Sequence, residues 1–348
     1  MRHAVVMGAS GVIGSAIAQR LRASGEWEVT GVTRSGESVD GHATFAVDLT
    51  DPTSVKAATA SLAPVTHLFY AAYVPRPTRF EEIEPNRRML SHAIDLAEAG
   101  SCLKRVVLTT GGKYYGVQWG AIKTPARETD ARHLAPNFYY QQQDLLEERG
   151  ASARWDWTNL IPPYVTGFSA RAPMNLSMAI GVLASLSREL KLPLRFPGPA
   201  VAWTTMHHIA DADHVADAAA WAADSANAGN QLFNVANGDP GRWCHTWQAI
   251  ADHFGLTGGD PLPMPLSMLP SAFQGVWSDI AARHRLVQPD LNALVDWKWA
   301  EYMFNTAFAN DVVLELGKIR RAGFHPCVDT EVALTRRFEQ LRSLRLIP

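Results

Sequence analysis

The 348-residue chain predicts an α/β fold, a doubly wound parallel sheet of about seven strands joined to a smaller, mostly helical and discontinuous second domain. Three observations carry that expectation. Short apolar, β-branched runs alternate with longer helical patterns through the first two thirds of the chain, which implies a parallel sheet covered on both faces. A glycine-rich loop follows the first run and opens a helix. After Asn237 the strand-like runs stop, and Trp, Pro and helical periodicity take over.

In order, strands are expected near Ala4–Gly8, Glu28–Thr33, Thr44–Asp48, His67–Ala72, Arg105–Thr110, Thr158–Pro162 and Gln231–Val235, with helices at Val12–Ser24, Thr53–Ser61, Pro85–Ala99 and Tyr139–Arg149. The later helical stretches are Trp243–Phe254, Leu291–Phe308 and Thr330–Leu341, and Met174–Leu190 stands outside the alternation. Residues 1–165, completed by 200–237, are expected to form the nucleotide-binding domain. Residues 166–199 and 238–348 are expected to form a substrate-binding lid over the carboxyl edge of the sheet, where open α/β sheets bind ligands.

A formal charge of −2 offers no electrostatic argument for nucleic acid or an anionic membrane as partner. Hydrophobic residues at 47% suffice for a large core. Three widely spaced cysteines, Cys102, Cys244 and Cys327, argue against a disulfide framework and fit a reducing compartment. The chain enters a strand almost at once, and no apolar run approaches the roughly 20 residues that span a bilayer. A cytoplasmic protein acting on a small molecule is expected, and a homodimer would be common for this fold. His207, His208 and His214 read as a loop and an amphipathic helix capped by Asp211 or Asp213, so no metal site is expected.

The loop Gly8-Ala9-Ser10-Gly11-Val12-Ile13-Gly14 has the spacing of a Rossmann dinucleotide fingerprint. It gives a tight turn, a backbone that can approach a pyrophosphate, and a helix N-terminus facing the phosphate charge. NAD-binding chains of this kind carry a carboxylate about 20 residues further on, for the ribose 2′-hydroxyl. Here that position reads Thr33-Arg34-Ser35, and an arginine suits a 2′-phosphate. NADPH is therefore the expected cofactor. Ser10 would touch phosphate, Asp48 and Leu49 would border the adenine, and Ala71 and Ala72 would leave room beside the fourth strand. Thr110, Pro162 and Val165, on or just beyond later strands, complete the expected cofactor contacts.

The segments TGGKYYG, NFYYQQQD, NLIPPYVTGFS, PMN, LPLRFPG, DADHVADAAAWAA and FNVANGD, with the terminal LRLIP, resemble the progesterone 5β-reductase and iridoid synthase family of extended short-chain dehydrogenases/reductases, over nearly the whole chain. Extended enzymes place a serine after the fifth strand and a Tyr-x-x-x-Lys pair on the following helix. Here Gly111 occupies the serine position, Gln143 replaces the in-frame lysine, and Lys113 appears in the glycine loop. The resemblance implies that Tyr139 and Lys113 form the catalytic pair and that NADPH reduces activated C=C bonds of enones and enals. Tyr140 competes for the role, but successive helical residues point about 100° apart, and Tyr139 occupies the first position of the frame. Tyr73, Tyr114, Phe168 and Met174 are expected to line an apolar substrate pocket. Gln143-Asp144 stands where the family has an acidic pair, Tyr114 where it has a histidine, and Tyr73 where plant members have a tryptophan. The two alternative functions are an NADPH-dependent carbonyl reductase or alcohol dehydrogenase with the same Tyr and Lys, and an NADP(H)-sensing protein without catalysis, against which the retention of Lys113 and Tyr139 speaks.

Overall fold

The computed structural model describes residues 2–39, 41–59, 62, 64–169 and 172–348. Its first half alternates strands and helices: β1 (Arg2–Met7), α1 (Val12–Ala23), β2 (Trp27–Thr33), β3 (Thr44–Ala46), α2 (Pro52–Thr59), β4 (His67–Tyr70), α3 (Ile83–Glu98), β5 (Arg105–Thr109), α4 (Phe138–Gly150) and β6 (Asp156–Ile161). There follow β7 (Tyr164–Thr166), α5 (Leu176–Glu189), β8 (Leu194–Arg195), α6 (Ala200–Thr204), β9 (Ile209–Asp211), α7 (Ala212–Asp224) and β10 (Gln231–Asn234). The last part holds α8 (Trp243–His253), β11 (Gly258–Gly259), α9 (Leu269–His284), α10 (Leu291–Leu294), α11 (Trp297–Asn305), α12 (Gly317–Arg321) and α13 (Thr330–Ser343). The end of the second expected helix, Ser61, lies outside the described residues.

The main sheet has seven parallel strands in the order β10-β6-β5-β4-β1-β2-β3. Chain order reverses between β1 and β4, and such a switch point opens a crevice at the strands' carboxyl ends. The central strands are apolar on both sides, as in β5, where all five residues of RVVLT are buried, because helices cover both faces. Ile17 and Leu21 of α1 and Val215 and Ala219 of α7 pack on one face. Val55 of α2, Leu90 and Ile94 of α3 and Leu146 of α4 pack on the other.

A third core lies outside the sheet. It joins α5, α8, α9, α11 and α13 around Trp243, Trp247 and Trp277, each fully buried. The division of the chain is less simple than a boundary at 238 suggests, because Ile319 of α12 and Phe324 return to the sheet's α1/α7 face before α13 rejoins the third core. The helix expected over Leu291–Phe308 is broken: Asp296 caps α11 by accepting from Trp299 N–H at 3.0 Å, and Val295 is extended. Two short parallel pairs, β7 with β9 and β8 with β11, were not expected at all. Among the described residues no helix is long and apolar enough to cross a membrane.

One buried ion cluster ties the sheet to the end of the chain. Asp211 is fully buried and caps α7, accepting from Asp213 N–H at 3.0 Å. Its carboxylate accepts from Arg337 at 2.7 and 3.0 Å and from Arg336 at 2.9 Å, both on α13. His207 is buried against Trp243 and Phe308, His208 Nδ1 accepts the Leu314 N–H at 3.0 Å, and His214 packs on Phe324.

Candidate active site

At the switch point the loop after β1 is pinned by Gly8 N–H and Ala9 N–H, which donate to the Val32 carbonyl at 3.1 and 3.2 Å. Gly8 has φ +79°, and a Cβ there would come within 2.8 Å of the Ala71 carbonyl oxygen and 2.9 Å of Ala72 Cα. A Cβ on Gly14 would sit 2.2 Å from the Gly8 carbonyl oxygen. The loop is thus closed to any side chain at these two positions, because the chain's own backbone fills the space. Gly11 starts α1 with no side-chain cap, leaving the first-turn N–H groups of Val12, Ile13 and Gly14 as orphan donors that favour an anion. Ser169, unforeseen from sequence, donates to the Ser10 carbonyl at 2.5 Å and braces the loop from beyond β7.

At the end of β2, Thr33 Oγ1 accepts from Gly36 N–H at 3.0 Å and Arg34 is exposed. Asp48 is held below the usual carboxylate range by the hydroxyl and N–H of Thr50, with the Arg34 charge adding to the effect. Arg34 and Asp48 therefore share one rim of the crevice, above buried Leu49. Thr110 departs from expectation: its hydroxyl is committed inside the sheet, donating to Asn159 Oδ1 at 2.9 Å. Pro162 lies beside Gly111, and Val165 packs against the α1/α7 face.

The loop after β5 makes a short 3₁₀ turn, Gly112–Tyr115, carrying Lys113. Asn137 couples it to α4. Its amide donates to the Lys113 carbonyl at 2.7 Å, while its Oδ1 caps α4 by accepting from Tyr139 N–H at 3.2 Å. The Tyr139 ring then runs over Gly111, whose missing Cβ would lie 3.2 Å from the tyrosine hydroxyl. Among the described residues this hydroxyl has no hydrogen-bond partner, and burial holds its pKa above the ordinary phenol value. Tyr140 faces the other way. It donates to the Tyr114 carbonyl at 2.7 Å and accepts from His133 N–H at 3.3 Å.

Lys113 has its Nζ 5.3 Å from the centre of the Tyr73 ring, and Tyr73 stacks on Phe138 with ring centres 5.5 Å apart. Burial lowers the Lys113 pKa from 10.5 to about 8, with the Arg79 charge acting in the same direction and Glu82 against it. Arg79 and Glu82 also act electrostatically on Tyr139 and Tyr73, so one ion pair sits among all three groups. Glu82 is buried. It accepts from Tyr73, and from Arg79 at 3.0 and 3.2 Å. Asn86, buried one turn along α3, holds the 73–75 segment by pairing with Val74 N–H and C=O at 3.0 and 2.9 Å.

Tyr114 is a correction. It was expected in the substrate pocket, but it is buried, packed on Tyr140, and donates to Gln143 Oε1 at 2.6 Å. A 3₁₀ turn rotates about 120° per residue, so Lys113 and Tyr114 face apart. Gln143, in the absent lysine's frame, is structural: its amide donates onward to Glu147 at 2.7 Å. Phe168 is half-buried against the third core and Met174 is exposed near the start of α5.

A family model described as a PRISE-like Rossmann-fold domain matches residues 45–348. The chain is 33% identical to an (S)-8-oxocitronellyl enol synthase of Nepeta racemosa, over 92% of this chain and 85% of that one. It is 26% identical to a 3-oxo-Δ(4,5)-steroid 5β-reductase of Arabidopsis thaliana, over 99% and 93% respectively. In fold it is similar to a GDP-mannoheptose C4 reductase of Campylobacter jejuni solved with NADP bound, with a TM-score of 0.67 at 14% identity, covering 98% of each chain.

Proposed function

The chain belongs to the family of PRISE-like Rossmann-fold domains, and on that premise we propose that it is an NADPH-dependent reductase of activated C=C bonds in small enones and enals. The observation that carries the reading is a protonated Tyr139 phenol, without a hydrogen-bond partner among the described residues, that shares its electrostatic neighbours Arg79 and Glu82 with the Lys113 ammonium. The names of its relatives, an enol synthase and a steroid 5β-reductase, agree with it.

The cofactor reading rests on this chain's own residues. Gly8 and Gly14 let the loop pack tightly against the 71–72 backbone and against itself, which holds it at the start of α1, whose first-turn N–H groups would hold a pyrophosphate. Arg34, at a strand end without a carboxylate, would hold the 2′-phosphate. When bound, NADPH supplies the hydride that the β-carbon of the substrate accepts.

Reduction at the β-carbon drives charge onto the carbonyl oxygen as an enolate. Tyr139 is the donor to that oxygen, since at neutral pH its hydroxyl keeps its proton. Lys113 strengthens the donor and screens the developing charge. The stacked rings of Tyr73 and Phe138 give the site an apolar wall beside Lys113. The test is cofactor consumption across enones, enals, steroids and simple ketones, with products read by mass and NMR. Saturated carbonyl products are expected; allylic alcohols would assign the chain to carbonyl reduction instead. Arg34→Ala is expected to raise KM for NADPH far more than for NADH, and equal constants for the two cofactors in the unaltered protein would overturn the NADPH assignment.

A further inference from the structure

We propose that Glu82 is a positioning residue for the reaction, a buried carboxylate that keeps Lys113 an ammonium and holds Tyr73 beneath it, with Arg79 acting as the opposing charge. The proposal rests on the reading of Lys113 and Tyr139 given above.

The groups that face Lys113 come from several elements. Tyr73 lies on the segment after β4, Arg79 and Glu82 lead into α3, and Tyr139 starts α4. Tyr302 on α11 faces Arg79 from the third core. His133 meets only the backbone of Lys113. Among these, Glu82 is the only negative charge. The lysine has no hydrogen-bonded anion of its own among the described residues, so its charge depends on this indirect support.

Glu82 acts in two ways. Its field favours the ammonium against burial and against Arg79. It also takes the Tyr73 hydroxyl proton in a hydrogen bond, which fixes the ring and raises the electron density of the face that the ammonium sits over. Arg79 in turn satisfies Glu82, which would otherwise be a buried carboxylate with one neutral partner. Arg79 is partly exposed, and the amide of Arg79→Gln retains a donor for the Glu82 carboxylate.

The test reads Lys113 directly in the cofactor-free protein, following its 13Cε NMR signal against pH, assigned by loss of the peak in Lys113→Arg. Glu82→Gln, which still accepts from Tyr73, is expected to move the midpoint down by about 1 pH unit, the low end for an opposite charge at short range. Arg79→Gln is expected to move it up. The alkaline limb of kcat should follow each midpoint, and the limb should vanish in Lys113→Arg, whose charge does not titrate there. A merely structural role would lower melting temperature without moving the midpoints in opposite directions. Unmoved midpoints, or midpoints moving the same way, overturn the proposal. If the midpoints move as stated and no enone is reduced, it is the functional reading that fails and this one stands.

Discussion

The Tyr140 hydroxyl is used twice, as donor to the Tyr114 carbonyl and as acceptor from His133 N–H, whereas the adjacent Tyr139 hydroxyl has no partner among the described residues. Tyr139 is half-buried, and on the proposed reading its uncommitted hydroxyl is the donor to the substrate. Tyr139→Phe and Lys113→Ala are each expected to lower kcat by about 10²–10³, the cost of removing one donor to a developing oxyanion. Strongly activated enals should lose less than weakly activated enones. Tyr140→Phe should instead cost stability, about 1–3 kcal/mol for the orphaned carbonyl, seen in denaturant midpoints with kcat little changed. Near-full turnover by Tyr139→Phe together with an inactive Tyr140→Phe would reverse these roles.

The pH dependence follows from the same two groups. The Lys113 pKa falls from 10.5 to about 8, so the ammonium is present below that pH and lost above it. The Tyr139 phenol is displaced upward and stays protonated through that range. Turnover is expected to decline as pH rises through about 8, and a rate that climbs there would identify a tyrosinate base instead.

At the scale of elements, the site is a meeting of the β5 loop with the start of α4, and Gly111 sets how closely they meet. Its backbone is extended (φ 177°), so any residue could adopt the conformation; space is the constraint. A Cβ would lie 3.2 Å from the Tyr139 oxygen, tighter than ordinary contact. Gly111→Ser, which restores the residue of related dehydrogenases, is expected to lower kcat about 10-fold or more by displacing the phenol, with stability changed by less than about 1 kcal/mol. Comparing melting temperature with single-turnover rate separates the two effects.

Much of this was legible in the sequence. The glycine loop, the strand–helix alternation and the Asn137-Phe138-Tyr139-Tyr140 run each announce their element, because each has a local period or cap. Glu82 was not legible. In Arg79-Phe80-Glu81-Glu82-Ile83-Glu84 three carboxylates look alike as solvated charge, and only folding shows that Glu82 is buried. Tyr114 misled for a related reason: its place in the pocket followed from its correspondence to the family's histidine, and a loop segment does not reveal the 3₁₀ turn that aims it away. The strand β9 is too short to leave a period, and its pairing with β7 is a contact between distant segments.

On the scale of the whole molecule, the third core is joined to the sheet through Asp211 and α13. Removing one partner of a buried ion pair typically costs about 3–5 kcal/mol. Arg337→Met should fall at the low end, because Arg336 still reaches the carboxylate. Asp211→Asn with Arg337→Met together should cost less than the two changes summed, since neither then strands a charge. Chemical denaturation of the four proteins in that cycle measures the coupling, and strict additivity would show that the pair contributes nothing jointly.

That same junction bears on how the protein is made. Asp211 leaves the ribosome 126 positions ahead of Arg337, yet it is fully buried in the finished molecule. During synthesis the sheet can assemble through β10 while this carboxylate still lacks its guanidinium partners and must stay hydrated. This part of the seam between the sheet and the helical part can close only once α13 has emerged. A chain stalled or cleaved before Thr330 would leave Asp211 without either guanidinium and the third core without Leu334, Phe338 and Leu341, so such fragments are expected to be cut by proteases faster than the full chain.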